Sequence, residues 1–211
     1  MKINVNKLIS FGRLIEQAKL CHKCPMMDFR RTFLNQYNGN LEAELFFVGE
    51  ATNIGTPDQL PRPFSDSQSA RNFDMYLAKA DIKRDDVFVT NTVLHTPLAD
   101  NSYKRARKPN NEEIQNCSAF LKRQIELVNP KIVIALGAIA LSALSLIEKH
   151  SLSVSNNAGS IKQWFDRWIF PMYHPSPNTL SYRSTERQIF DYRELKHMLG
   201  AINKFKKEKI L

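Results

Sequence analysis

The sequence is poor in cysteine, with three in 211 residues. A small, odd number excludes a disulfide framework, and it leaves Cys21 and Cys24, spaced C-x-x-C, to metal or redox chemistry. A membrane-length apolar run is also missing. The longest, IVIALGAIALSALSLI over Ile132 to Ile147, contains Gly137 and falls short of a span. It reads instead as a buried strand, a turn and a helix. The N-terminal stretch MKINVNKLISFGRLIEQ lacks the apolar core and small-residue cleavage site of a signal peptide. No repeat and no low-complexity linker interrupts the chain. With 43% hydrophobic residues, one domain with a full core is expected over residues 1–211. Acidic residues are the other shortage: 21 Asp plus Glu stand against 30 Lys plus Arg, a net charge of +9. That balance predicts a polyanionic partner, most simply nucleic acid, and the lack of a spanning run predicts no membrane. Part of the excess lies in the tail KFKKEK (204–209), which a solvated helix end would also explain. The expected location is the cytoplasm, on the nucleoid.

Four apolar runs stand out: ELFFVG (44–49), VFVTN (87–91), IVIALG (132–137) and WIFPMY (168–173). Each is continuous rather than alternating, as expected of strands buried on both faces. Helical periodicity separates them over 69–80, 111–128, 138–149 and 184–205, and an N-terminal helix over 6–19 precedes the cysteine pair. Alternating strands and helices predict a mostly parallel sheet covered on both faces.

The polar residues gather where such a sheet holds its ligand. The first run leads into Glu50, Ala51, Thr52 and Asn53, the second ends on Asn91, the third on Gly137 and the fourth on His174. These are the carboxyl ends of parallel strands, which border the crevice of an open α/β sheet. The last is the most unusual. The stretch PMYHPSPNTLSYR stops a strand on a histidine, stiffens the next residues with Pro175 and Pro177, then supplies hydroxyl and amide side chains.

Taken in order, these residues resemble the uracil-DNA glycosylase superfamily, closest to its iron–sulfur (family four) branch and the uracil-crosslinking relative. The likeness runs from Cys21 to about Leu199 and rests on CHKC, FFVGEA, RPF (62–64), VFVTNTV (87–93), EEIQNCSAFLKRQIELVNPKIVIALG (112–137) and YHPSP (173–177). The long central stretch is the most specific. The resemblance implies a three-layer α/β/α fold with a central four-stranded parallel sheet, order 2-1-3-4. It also implies a monomeric, monofunctional enzyme that hydrolyses the N-glycosidic bond of uracil or a related base in DNA. Such an enzyme must turn its target out of the stack, because the sugar carbon is unreachable inside a duplex.

The roles then carry over residue by residue. His174 is expected to hydrogen-bond the departing base as negative charge grows on it, with Asn91 reading the base edge and Phe64 stacking on it. Ala51 and Thr52 line the base, and Glu50 orients water or backbone. Ser176 and Asn178 press on phosphates, while Leu180 or Tyr182 fills the gap left in the duplex. The first motif departs from the family: Thr52 and Asn53 stand where Pro-Gly is usual, and Ser65-Asp66 follow Phe64 where a small apolar residue and Gly are usual. Asn53 or Asp58 is the candidate for holding the attacking water. These departures keep two alternatives open: a glycosylase aimed at modified, phage-type bases, and a DNA-binding module that has lost catalysis.

The family's four metal cysteines map onto Cys21, Cys24, His95 and Cys117, so the resemblance implies a [4Fe–4S] cluster with one histidine ligand. The same set is also a normal structural zinc site. A basic insertion, DNSYKRARKPNN (100–111), follows His95. Lys104, Arg105, Arg107 and Lys108 are expected on phosphates, with Tyr103 stacking. The crosslinking relative has a covalently acting histidine in this loop; none occurs here between His95 and Cys117, so crosslinking is not expected.

Overall fold

The computed structural model describes residues 5–30, 32–52, 54, 62–65 and 67–208. Its strands are β1 (Met27–Asp28), β2 (Leu45–Gly49), β3 (Phe88–Asn91), β4 (Thr96–Pro97), β5 (Ile132–Leu136), β6 (Lys162–Trp164) and β7 (Arg167–Met172). Its helices are α1 (Val5–Lys19), α2 (Gln68–Lys79), α3 (Asn111–Val128), α4 (Ala138–Ile147), α5 (Val154–Asn157) and α6 (Thr185–Glu208). Among the described residues, no helix is long and apolar enough to cross a membrane.

The four apolar runs form the four parallel strands β3-β2-β5-β7, which is the expected order 2-1-3-4. The sheet is nonetheless five-stranded and mixed, a correction to the four-stranded parallel expectation. β6 pairs antiparallel with the outer edge of β7, with Trp164 opposite Arg167. The sequence gives no cue for it. Two of its three residues are exposed and polar. Its turn is Phe165-Asp166, with Phe165 at a left-handed φ of 62°, rather than the Asn-Gly type that flags a hairpin.

Strand side chains alternate between two cores. Phe46, Val48, Val133, Ala135 and Ile169 pack with Phe11 and Leu14 of α1, Leu121 and Ile125 of α3, and Leu141 and Leu144 of α4. Phe47, Val89, Ile134 and Phe170 face Phe73, Tyr76 and Leu77 of α2 and Tyr192 and Leu195 of α6. Both faces are thus covered, and the layers are α/β/α as expected. Burying each of these large side chains stabilises the fold by about 1.5–3 kcal/mol.

Helix α3 shows why the sequence folds so locally. Asn110 caps α3: its side chain accepts from the Glu113 N–H, and Glu113 accepts in return from the Asn110 N–H. This capping box satisfies donors the helix start would leave open. Asn129 ends the helix in the left-handed conformation, φ 54°, and Pro130 then blocks its continuation. A second, small ribbon pairs β1 with β4, Met27 opposite Pro97 and Asp28 opposite Thr96. It ties the loop carrying Cys21 and Cys24 to the segment carrying His95.

Candidate active site

Parallel pairing sets Gly49 beside Asn91 at the carboxyl ends of β2 and β3. Gly49 is a required absence. A Cβ there would meet Asn91 Oδ1 at 2.5 Å and the Phe64 ring at 3.1 Å. The amide and the aromatic ring therefore share the space above the strand end. The Phe64 ring also stacks on Phe73, with centroids 4.7 Å apart at 23°, and lies tilted against the His174 ring at 5.5 Å. Gly137, at φ 95°, brings the end of β5 close as well: a Cβ there would lie 3.5 Å from His174 Cβ. Amide, aromatic and imidazole from three separated segments thus converge at the sheet edge expected to hold a ligand.

His174 is half-buried, and burial pushes its imidazole down to about 4. At neutral pH the ring is uncharged, with one nitrogen as donor and the other as acceptor. The loop after it is braced. Thr179 Oγ1 lies 2.7 Å from the His174 carbonyl and 2.8 Å from that of Ser176, sharing one hydroxyl proton between them. Asn72 of α2 donates to the Pro175 carbonyl at 2.8 Å. A turn of 3₁₀ helix spans Pro177–Thr179, and Arg183 grips buried Asp191 of α6 through two guanidinium nitrogens. On this frame Asn178 is exposed, Ser176 half-buried, and Leu180 and Tyr182 project into solvent at 40% and 75% exposure.

Glu50, Ala51 and Thr52 are half-buried beside this cluster. Burial raises the Glu50 carboxyl, and the nearby Lys108 charge partly offsets this. The water-holding candidates Asn53 and Asp58 lie outside the described residues, as does Asp66.

The three cysteines share one neighbourhood. Burial drives the Cys117 thiol up to about 11; the Leu94 N–H opposes this, and Cys24 and Cys21 add to the rise. Cys24 is raised too, again chiefly by burial, while Asn116 Nδ2 donates to its sulfur at 3.5 Å. The donor set suits a thiolate-bound group, because hydrogen bonds to sulfur are among the devices that tune iron–sulfur sites. His95 is buried, but its ring lies edge-on to Phe29 at 5.0 Å, and the His22 ring also meets Phe29, at 4.4 Å. Burial lowers it to about 4, and the charges it feels are those of His22 and Asp28. Among the described residues, no three His, Cys, Asp or Glu side chains are arranged to hold a metal ion.

The basic loop divides. Arg107 forks onto both oxygens of buried Glu113, at 2.8 and 2.6 Å, and its remaining donors reach the Leu98 and Lys108 carbonyls. Burial alone would raise Glu113, but Arg107 and the Asn110 N–H hold it below the ordinary range. Arg107 is therefore an internal strut rather than a phosphate contact. Lys104 is exposed, and Arg105, with a 73% exposed side chain, makes only a surface pair with Asp100. Such pairs are weak and exchange readily for phosphate. Tyr103 sits over the Arg30 guanidinium at 4.4 Å. Arg107→Ala is expected to cost about 3 kcal/mol or more by stranding the Glu113 carboxylate. Lys104→Ala should leave the fold intact and lower the slope of log affinity against log salt by about 0.9. Chemical denaturation and salt-dependent binding check the two. Equal loss of stability in both variants would refute the division.

Residues the motifs do not reveal complete the site. Thr179 and Asn72 brace the histidine loop, and Arg84 donates to the Pro63 carbonyl at 2.9 Å just before Phe64. The first two belong to common polar patterns with no distinguishing signal. Arg84 lies in KRDD, which reads as a surface charge cluster.

A family model described as the uracil DNA glycosylase superfamily matches residues 36–199. The Type-4 uracil-DNA glycosylase of Thermotoga maritima is 32% identical over 162 residues, 76% of this chain and 79% of that protein. The Type-4 uracil-DNA glycosylase of Saccharolobus solfataricus is 29% identical over 198 residues, 89% of this chain and 86% of that one. The Type-5 uracil-DNA glycosylase of Pyrobaculum aerophilum is 28% identical, with 74% of this chain and 78% of that protein covered. The matched span takes in β2, β3, β5, β7 and the strand ends where Gly49, Asn91 and His174 meet, and so the chain belongs to the uracil DNA glycosylase superfamily.

Proposed function

We propose that the chain is a monofunctional DNA glycosylase that hydrolyses the N-glycosidic bond of uracil in DNA and leaves an abasic site. One observation carries this: Asn91, Phe64 and His174 converge above the side-chain-free end of β2. That space suits a flat, polar-edged ring held out of the helix. The proposal extends to a monomer acting on nucleoid DNA in the cytoplasm.

The chemistry follows from placing these groups around a flipped base. Phe64 covers one face of the ring, and the Asn91 amide, both donor and acceptor, reads its edge. As the C1′–N bond lengthens, its electron pair moves onto the base and charge develops at the carbonyl oxygen. A neutral His174 donates to that oxygen without leaving a buried cation behind when the base departs. A donor already aimed at developing charge is worth roughly 3 kcal/mol. Water then bonds to C1′, and the proton it gives up passes through solvent to the departing base anion; Glu50, half-buried at the same edge, orients that water. Leu180 enters the emptied stack, with Ser176 and Asn178 on the flanking phosphates, and exposed Lys104 and Arg105 add sequence-independent attraction. Cys21, Cys24 and Cys117 would hold a [4Fe–4S] cluster, with His95 as fourth ligand; zinc is the alternative occupant. Bound there, the group would cross-link the N-terminal loop to α3.

A panel of single- and double-stranded oligonucleotides tests the proposal. They would carry uracil, hypoxanthine or bulky modified cytosines and be scored for alkali-labile abasic sites. Uracil should be released roughly a hundredfold or more faster than any other base, because a hydrogen-bonding pocket rejects a mismatched edge strongly. Preferential release of a modified cytosine would reassign the substrate. Tight DNA binding with no abasic site from any substrate would reduce the chain to a binding module.

A further inference from the structure

Phe64 is held in a conformation that an aromatic residue rarely adopts, with φ at 53°. Something must hold it there, and the structure supplies one device. Arg84, at the start of the turn before β3, donates from Nη2 to the Pro63 carbonyl at 2.9 Å. That carbonyl belongs to the peptide plane joining Pro63 to Phe64. Rotation of this plane about the Phe64 N–Cα bond is φ itself, so the hydrogen bond fixes the angle and with it the direction of the ring.

Arg84 is in turn well anchored. Its side chain is 13% exposed, and Nε stands 3.7 Å from Asp74 Oδ1. Its guanidinium lies over Phe73 at 5.4 Å, and Phe73 is the ring on which Phe64 stacks. Burial lowers the group to about 10, which leaves it charged at neutral pH. Its Nε is buried without a hydrogen-bond partner. Core packing alone would be better served by an apolar side chain, because a desolvated, partly unpaired cation is unfavourable.

We propose that Arg84 is a positioning residue for the base-stacking wall, acting through the Pro63–Phe64 peptide. The proposal rests on the reading of Phe64 as the aromatic that stacks on the flipped base. Arg84 touches neither base nor sugar; it sets the ring that does.

The test is a double-mutant cycle read by single-turnover excision of uracil at saturating enzyme. Arg84→Met should slow excision roughly tenfold to a hundredfold, the scale of a small misplacement in a reacting site. Affinity for undamaged duplex should stay unchanged. Arg84→Lys keeps an N–H donor of nearly the same reach and should recover most of the rate. The decisive member is the double variant. In a Phe64→Ala background, Arg84→Met should cause no further loss. Additive losses, with Phe64→Ala itself slow, would overturn the role of Arg84 and leave Phe64 as the wall. An unchanged rate in Phe64→Ala would overturn both. An unchanged rate in Arg84→Met would overturn the proposal alone. Should Arg84→Met fail to fold, Arg84→Gln, whose amide stops short of the Pro63 carbonyl, takes its place in the cycle.

Discussion

Replacing His174 by alanine is expected to slow single-turnover excision about a hundredfold, the usual consequence of losing one aimed donor. Affinity for DNA should change far less, because phosphate contacts supply most of it. The loss is specific to the transition state, where the leaving base carries its charge. An equal fall in binding and stability, with normal chemistry once enzyme saturates the DNA, would make His174 a turn residue only. Its depressed proton affinity adds a second signature. Burial holds the ring near 4, so the wild-type rate should show no inflection at the ordinary histidine value of about 6.5. The same shift destabilises the chain in acid. Between about 6.5 and 4 the unfolded chain takes up a proton at this site and the folded chain does not, so stability falls as pH falls through that window. His150, also lowered by burial, acts in the same direction. Acid titrations of wild type and His174→Ala should show the variant losing stability less steeply there.

The second large effect concerns the cysteines. Cys117→Ala, and equally Cys24→Ala, is expected to abolish bound iron and to remove more than roughly 3 kcal/mol of stability, since a structural metal site contributes folding energy directly. The anaerobically purified wild type should be brown and contain iron and sulfide in equal amounts. A colourless protein holding zinc would keep the ligands and replace the cluster. His95→Ala separates the fourth ligand from the three thiols. Partial or complete loss of iron would support ligation by His95, whose ring now faces Phe29 and whose neighbours in the chain reach Cys117 through the Leu94 N–H. Full retention would remove it from the set.

Most of the fold was legible because its central strands are buried on both faces. A strand such as IVIAL has no solvent side and so reads as an unbroken apolar run. β6 was not legible, because two of its residues face water and its turn lacks a recognisable signal. The convergence of candidate residues was legible where chain position alone determines it: Asn91 closes β3, His174 follows β7 by two residues, and the ends of parallel strands lie together. Roles that depend on three-dimensional pairing were not. Arg107 and Lys104 look alike in KRAR, yet one is locked to buried Glu113 and the other is exposed. The left-handed turn at Phe64 and the arginine behind it also leave no trace in local sequence.

One proline-stiffened loop carries both the histidine and the projecting leucine, and the Thr179 hydroxyl joins its two ends. The two side chains are therefore mounted on one braced frame. On the proposed roles, a base pair that stays closed would keep Leu180 outside the duplex and leave His174 with no base within reach. Each intact pair would then meet a catalyst that is complete in itself but unengaged. Opening is a debt the duplex must settle first, and weak pairs such as uracil opposite guanine open more readily than sound ones. On that reading part of the discrimination against normal DNA would reside in the substrate's own mechanics, sampled by a loop braced from within.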